Sequence, residues 1–418
     1  MSHTDSVPSA LPTGDPAPPD GRLRRATLDA ARGVRFGVYV HVPFCDTRCG
    51  YCDFNTYTAA ELGPGVSRGS YADTVLHEIR LAAEVLGDGD VLGDRIPLVS
   101  TVFFGGGTPT VLPAEHLGLI ISEVGERFGL ANDVEITTEA NPETVAPGYF
   151  AKLLEVGFTR VSLGMQSAVP RVLEVLGRRH RAGRPEQAVV EARAAGFEHI
   201  NLDLIYGAPY ESDADWLCSL DAAIGTGADH ISAYALVVEQ GTPLARQVRA
   251  GLVPAPDDDV LADRYLMADD TLGAAGYHWY EVSNWAKSDA ARCRHNELYW
   301  ADDNWWGFGP GAHSHVSGVR WWNVKHPVRY TAALESGRSP AAGRETLDGA
   351  ARHTERVMLG VRLCDGLPIA ELTGTERAGL PQLASWGLID HDAAVSGRVV
   401  LTQRGRLMAD AVVRELLA

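Results

Sequence analysis

The chain has 418 residues, 45% hydrophobic and 22% charged, an ordinary balance for a globular protein with a large core. Its formal net charge of −17 argues against nucleic acid as the main partner, because phosphate contacts need a basic face. No apolar run approaches the roughly 18–20 residues of a membrane span, and six cysteines are too few for a disulfide framework this long, which points to a reducing cytoplasm.

Residues 1–32 contain five prolines and no apolar signal core, so they read as a disordered Pro-rich tail. From Arg35 onward, short β-rich runs alternate with helical spacing. The runs are Phe36–Val42, Val99–Phe104, Val134–Glu139, Arg160–Leu163, His199–Leu204 and His230–Leu236. Helical patterns lie between them at Tyr71–Leu86, Ala114–Phe128, Pro147–Val156, Pro185–Ala195 and Asp213–Ile224. This rhythm predicts parallel strands with right-handed crossovers. Six units are too few to close an eight-stranded barrel, so the expected α/β fold is a partial, open TIM-like barrel over residues 33–285.

A segment over 286–344 follows, and tryptophan is concentrated in and just before it: six of the nine (Trp285, Trp300, Trp305, Trp306, Trp321, Trp322) fall within 38 residues. It reads as a connector. Residues 345–418 read as helices around two short β runs, a winged-helix-like α+β module. With eight Lys/Arg against ten Asp/Glu, that module suits packing or docking better than DNA.

The strongest chemical signal is Cys45-Asp-Thr-Arg-Cys49-Gly-Tyr-Cys52, immediately after the first run. Thiolates are soft ligands for zinc or iron–sulfur clusters. Three on one short loop can hold three corners of a 4Fe–4S cubane and leave one iron open. A zinc knuckle is the alternative, but it needs a fourth Cys or His nearby, and His41 lies upstream in a strand. The remaining cysteines, Cys218, Cys293 and Cys364, read as buried thiols. Gly105-Gly106-Gly107-Thr108-Pro109 follows the second run, where glycines let backbone N–H groups approach a ligand. Glu139 ends the third run, Gln166 follows the fourth, and Arg178 (in Leu176-Gly-Arg-Arg-His180) and Asp203 (in Asn201-Leu-Asp-Leu-Ile-Tyr-Gly207) are similar cases further on. Each of these alone suits a structural role, but ligands of parallel α/β folds sit at the carboxyl ends of strands, where these segments converge.

CxxxCxxC after a first strand, with Tyr51 before the third cysteine, resembles the radical-SAM superfamily. In order and spacing, the motifs from Phe36 to Ser314 resemble the oxygen-independent coproporphyrinogen III oxidase family. The resemblance implies a 4Fe–4S cluster on Cys45, Cys49 and Cys52 that passes one electron to S-adenosylmethionine, yielding methionine and a 5′-deoxyadenosyl radical. Position by position it implies cofactor contacts from Tyr39, Tyr51, Gly106, Gly107, Thr108, Glu139, Gln166, Arg178 and Asp203. An external electron donor is implied as well, and a homodimer fits the family.

Two features depart from the oxidase. Phe54 stands where the oxidase has a fourth cysteine, and His295-Asn296-Glu297-Leu298-Tyr299-Trp300 forms an HNxxYW motif that the oxidase lacks. Both resemble a heme-chaperone subgroup of the family, which implies heme binding and delivery to apo-hemoproteins rather than catalysis by porphyrinogen oxidation. A neutral imidazole is a good axial ligand for heme iron. His295 is the first candidate ligand, with His313, His315 and Cys293 behind it. Against this, His295 could bond a neighbouring loop, and the tryptophans could fill the seam between barrel and C-terminal module.

Overall fold

The computed structural model describes residues 12–63, 65–87 and 98–418. Its centre is one twelve-stranded sheet. Six strands carry the expected runs: β1 (Phe36–Val42), β2 (Val99–Gly106), β3 (Leu130–Ala140), β4 (Arg160–Gln166), β5 (His199–Tyr206) and β6 (His230–Ala235). They pair in parallel in chain order. Both faces are covered, which is why β4 is buried along its whole length and β1 at every position but Tyr39. The helices Tyr71–Gly87, Ala114–Phe128, Tyr149–Glu155, Arg184–Ala195 and Asp213–Gly225 form the crossovers.

The sheet extends beyond these six strands. β7 (His278–Glu281) and β8 (Asn284–Ala286) add to β6 antiparallel, in the order β6–β8–β7. On the other side the tryptophan-rich stretch is itself part of the sheet: β9 (Asn304–Phe308), β10 (His313–Val316), β11 (Val319–Asn323) and β12 (Ala341–Thr346). β9 lies parallel to β1 as a seventh parallel strand, and β10–β12 continue antiparallel. β10 and β11 are joined by Ser317 and Gly318, both at positive φ (48° and 83°), the geometry of a two-residue hairpin. Trp306, Trp321 and Trp322 are buried within this extension, Trp306 edge-on to Trp321 at 4.7 Å. They therefore build sheet core rather than a seam with the C-terminal module. The two end strands, β12 and β7, do not pair, so the barrel stays open.

Of the tail expected to be disordered, residues 1–11 lie outside the described residues, and residues 12–32 correct the expectation. The Asp15 and Arg344 backbones exchange two 2.9 Å hydrogen bonds, and Gly14 lies so close to the Trp322 indole that a Cβ would meet it at 2.5 Å. Arg25–Ala30 is helical and buries Leu28. Composition alone missed the exposed β12 edge and the Trp322 face that receive this segment.

The C-terminal part has its own apolar core, including Val357, Leu383, Val399, Val412 and Leu416. Helices from Gly349–Gly360 to Ala409–Leu416 surround a short antiparallel ladder, Leu367–Pro368 with Arg398–Val399. The module is fastened to the barrel by Arg406, which pairs with Asp269 at 2.6 Å and lies 4.5 Å over the Trp279 ring. No described helix is long and apolar enough to cross a membrane.

Candidate functional site

β1 runs straight into the cysteine loop, and backbone bonds fasten that loop on every side. The Cys45 amide donates to Tyr57 (3.1 Å), Gly50 to the Leu176 carbonyl (2.9 Å), and Leu244 back to the Gly50 carbonyl (2.9 Å). The glycine strip after β2 completes the clamp, with the Gly107 amide on Val42 O (2.8 Å) and the Thr108 amide on Phe44 O (2.7 Å). These two amides were expected to face a ligand; they hold the loop instead. The approach is close enough that a Cβ on Gly107 would stand 2.5 Å from the Phe44 carbonyl. Gly106, at φ 104°, packs on the His41 ring, and His41 in turn contacts the Asn55 carbonyl (2.9 Å).

Cys45, Cys49 and Cys52 are free thiols in the wall of one cavity of about 520 Å³. Cys45 Sγ lies 3.7 Å from the Thr108 hydroxyl, and Arg178 Nη1 donates to Cys49 Sγ at 3.5 Å. Burial pushes the Cys45 thiol up and Cys52 to about 12, so both stay protonated until a cation binds and displaces the proton. Among the described residues, no three of His, Cys, Asp or Glu converge tightly enough to ligate a single metal ion, as a zinc knuckle requires. Three soft donors spread around one cavity, beside a guanidinium, fit three corners of an anionic cluster.

The same wall contains Tyr51, Gly106, Gly107, Thr108, Glu139, Gln166, Arg178 and Asp203. Glu139 accepts the Gly106 amide (3.1 Å); burial, with Asp203 adding repulsion, raises its pKa to about 8. Asp203 is also raised by burial, against donors that hold its charge: the Ser162 hydroxyl (2.8 Å) and the Asn201 amide (2.7 Å). A bound cation would relieve both carboxylates. Gln166 is held at φ 60°, with its Oε1 buried and without a partner, and Arg178 Nε is orphaned in the same way. Unsatisfied buried groups facing a cavity mark where a polar ligand would bond. Tyr39 stands apart: it is outside this lining, and its hydroxyl meets His41 Nδ1 at 3.0 Å.

Ser162, Asn201 and Ser232, which steady Asp203, were not anticipated, nor was Tyr234 in the cavity wall. A signal was present: each is a polar residue in a parallel strand expected to be buried, where an unpaired polar group is costly.

The heme-ligand candidates separate. His295 is fully buried and both ring nitrogens are engaged, Nδ1 with the Thr101 hydroxyl (2.8 Å) and Nε2 with Tyr299 (2.8 Å). Phe103 stacks on its face at 5.1 Å, and burial lowers its pKa to about 3. For His295 to ligate heme as expected, one of these hydrogen bonds would have to be given up; the ring does line a small cavity with Tyr39, Cys293 and Tyr299. His315 is likewise committed, to the Asp303 carbonyl and the Gly318 amide. Cys293 is buried beside Glu135. Only the His313 ring is exposed. Of the other cysteines expected to be buried, Cys218 is exposed and Cys364 half-buried.

Residues 39–222 match the radical SAM superfamily. The heme chaperone HemW of Mycobacterium tuberculosis is 54% identical over 385 residues, covering 92% of this chain and 95% of the relative. The heme chaperone HemW of Bacillus subtilis is 31% identical, covering 90% and 97%. Among solved structures, the radical SAM coproporphyrinogen III oxidase HemN of Escherichia coli superposes with a TM-score of 0.77 over 95% of this chain and 94% of that one, at 21% identity.

Proposed function

The chain belongs to the HemW family of radical SAM proteins, and from that premise we propose that it is a heme chaperone, binding heme and passing it to apo-hemoproteins. The observation that carries this reading is the 54% identity to a heme chaperone, which spans barrel and C-terminal module together. A 4Fe–4S cluster and S-adenosylmethionine are the family's cofactors. The oxidase superposition supports the fold alone.

On this reading Cys45, Cys49 and Cys52 hold the cluster, which when bound supplies a low-potential electron to the cofactor's sulfonium. Glu139 and Asp203 balance the positive charge of the cofactor. Gln166 Oε1 accepts from its hydroxyl or amino groups, and Arg178 Nε donates to its carboxylate while the same guanidinium steadies Cys49. Tyr51 and Thr108 close the wall next to the thiols, and Gly106 and Gly107 leave room for close approach. Tyr39 is a positioning residue, acting through His41 on Gly106. The reading places the protein in the cytoplasm, with an external electron donor for the cluster and a homodimer as its assembly.

The test against catalysis is anaerobic incubation of cluster-loaded protein with coproporphyrinogen III, S-adenosylmethionine and a reductant. The expected outcome is no protoporphyrinogen, alongside stoichiometric binding of added hemin. Sustained decarboxylation would overturn the chaperone reading.

A further inference from the structure

A second cavity, of about 590 Å³, opens beside the cluster cavity, within the size range of small-molecule sites. Its walls come from the ends of β1 to β3 (Tyr39, His41, Gly106, Glu139), the residues just after Cys52, the stretch from Tyr299 through β9 to β11, and the helix Gly349–Gly360 of the C-terminal module. Phe54, Trp305, Met358 and Leu359 provide broad apolar surfaces. Phe54 is 58% exposed and Met358 37%, apolar surface within one cleft that a covering ligand would remove from water. Asp53, Phe54, Gly106 and Glu139 line both cavities.

His313 projects into this cleft. Its backbone is fixed, because its carbonyl accepts the Trp305 indole N–H (3.1 Å) and β10 pairs it with Trp322. Its ring nitrogens make no hydrogen bond to any described residue, in contrast to His41, His230, His295 and His315. Burial lowers its pKa, as do the Lys325 and Arg320 charges, keeping the imidazole in the form that binds metal. Charge does not select the ligand, since Arg320 is already paired with Glu345 and Glu355, and Asp302 and Glu355 share the wall. The open imidazole between flat apolar surfaces does.

We propose that heme docks in this cleft with His313 as an iron ligand and its macrocycle against Phe54, Trp305 and Met358. The proposal rests on the heme-chaperone reading and gives it a place. Because Phe54 and Asp53 also face the cluster cavity, the heme would sit against the cysteine loop itself.

Hemin titration of the full-length protein followed by its Soret band tests this, with His313→Ala and Met358→Asp as variants; both positions are exposed, so the fold is retained. The expected result is binding weakened about tenfold or more in each variant. His313→Ala should also change the Soret position, and added imidazole should restore it. Unchanged affinity and spectrum in His313→Ala would overturn the site while leaving the chaperone reading standing. Failure of the unmodified protein to bind hemin would overturn both.

Discussion

Replacing Cys49 with alanine is expected to strip the protein of its cluster: iron and acid-labile sulfide fall to background and the brown colour is lost. Cys45→Ala and Cys52→Ala should do the same, because among the described residues the cavity wall offers no fourth thiol to take a vacant corner. A cubane held through only three thiolates is left with two irons without a protein ligand when one is removed. The Arg178 guanidinium, 3.5 Å from the Cys49 sulfur, would be left facing a methyl group. Cys218→Ala is the internal control, since Cys218 is exposed on the helix Asp213–Gly225 and should leave iron content unchanged. Iron and sulfide assays on anaerobically purified variants read the result directly.

Gly107→Ala should cost nearly as much cofactor without touching a ligand. The added methyl would stand 2.5 Å from the Phe44 carbonyl, 2.8 Å from that of Val42 and 2.9 Å from the Phe44 nitrogen. All three are backbone atoms, so the clash cannot be relieved by a rotamer change. The strip and the cysteine loop must part, breaking the Gly107–Val42 and Thr108–Phe44 hydrogen bonds that clamp them. Overpacking of this kind costs about 1–3 kcal/mol. The expected outcome is a lower Tm together with substoichiometric iron. Gly349→Ala, where a Cβ meets nothing within 4 Å, should change neither.

The parallel half of the fold was legible because each strand is a short apolar run bounded by turn residues and followed by helical spacing. The convergence of Cys45, Gly106, Glu139 and Gln166 on one face followed from strand direction alone. The sheet extension was not legible, since runs such as Asn304–Phe308 are short, interrupted by glycine and not followed by a crossover helix. Their β9 pairing with β1 is a long-range event. The histidines show the same limit. His295 and His313 are equally plausible ligands as letters. Only the fold shows that Thr101 and Tyr299 occupy both nitrogens of the first and that the second stays open. Tyr39 lies on the same strand that delivers the cysteines, yet lines the two adjoining cavities rather than theirs.

Heme transfer tests the central claim most directly. Protein loaded with one equivalent of hemin is mixed with an apo-hemoprotein, and both are separated and assayed for heme over time. The account predicts that heme leaves the chaperone and appears in the recipient faster than its spontaneous release in the absence of recipient. Heme that stays bound, or that moves only at the rate of spontaneous release, would contradict it.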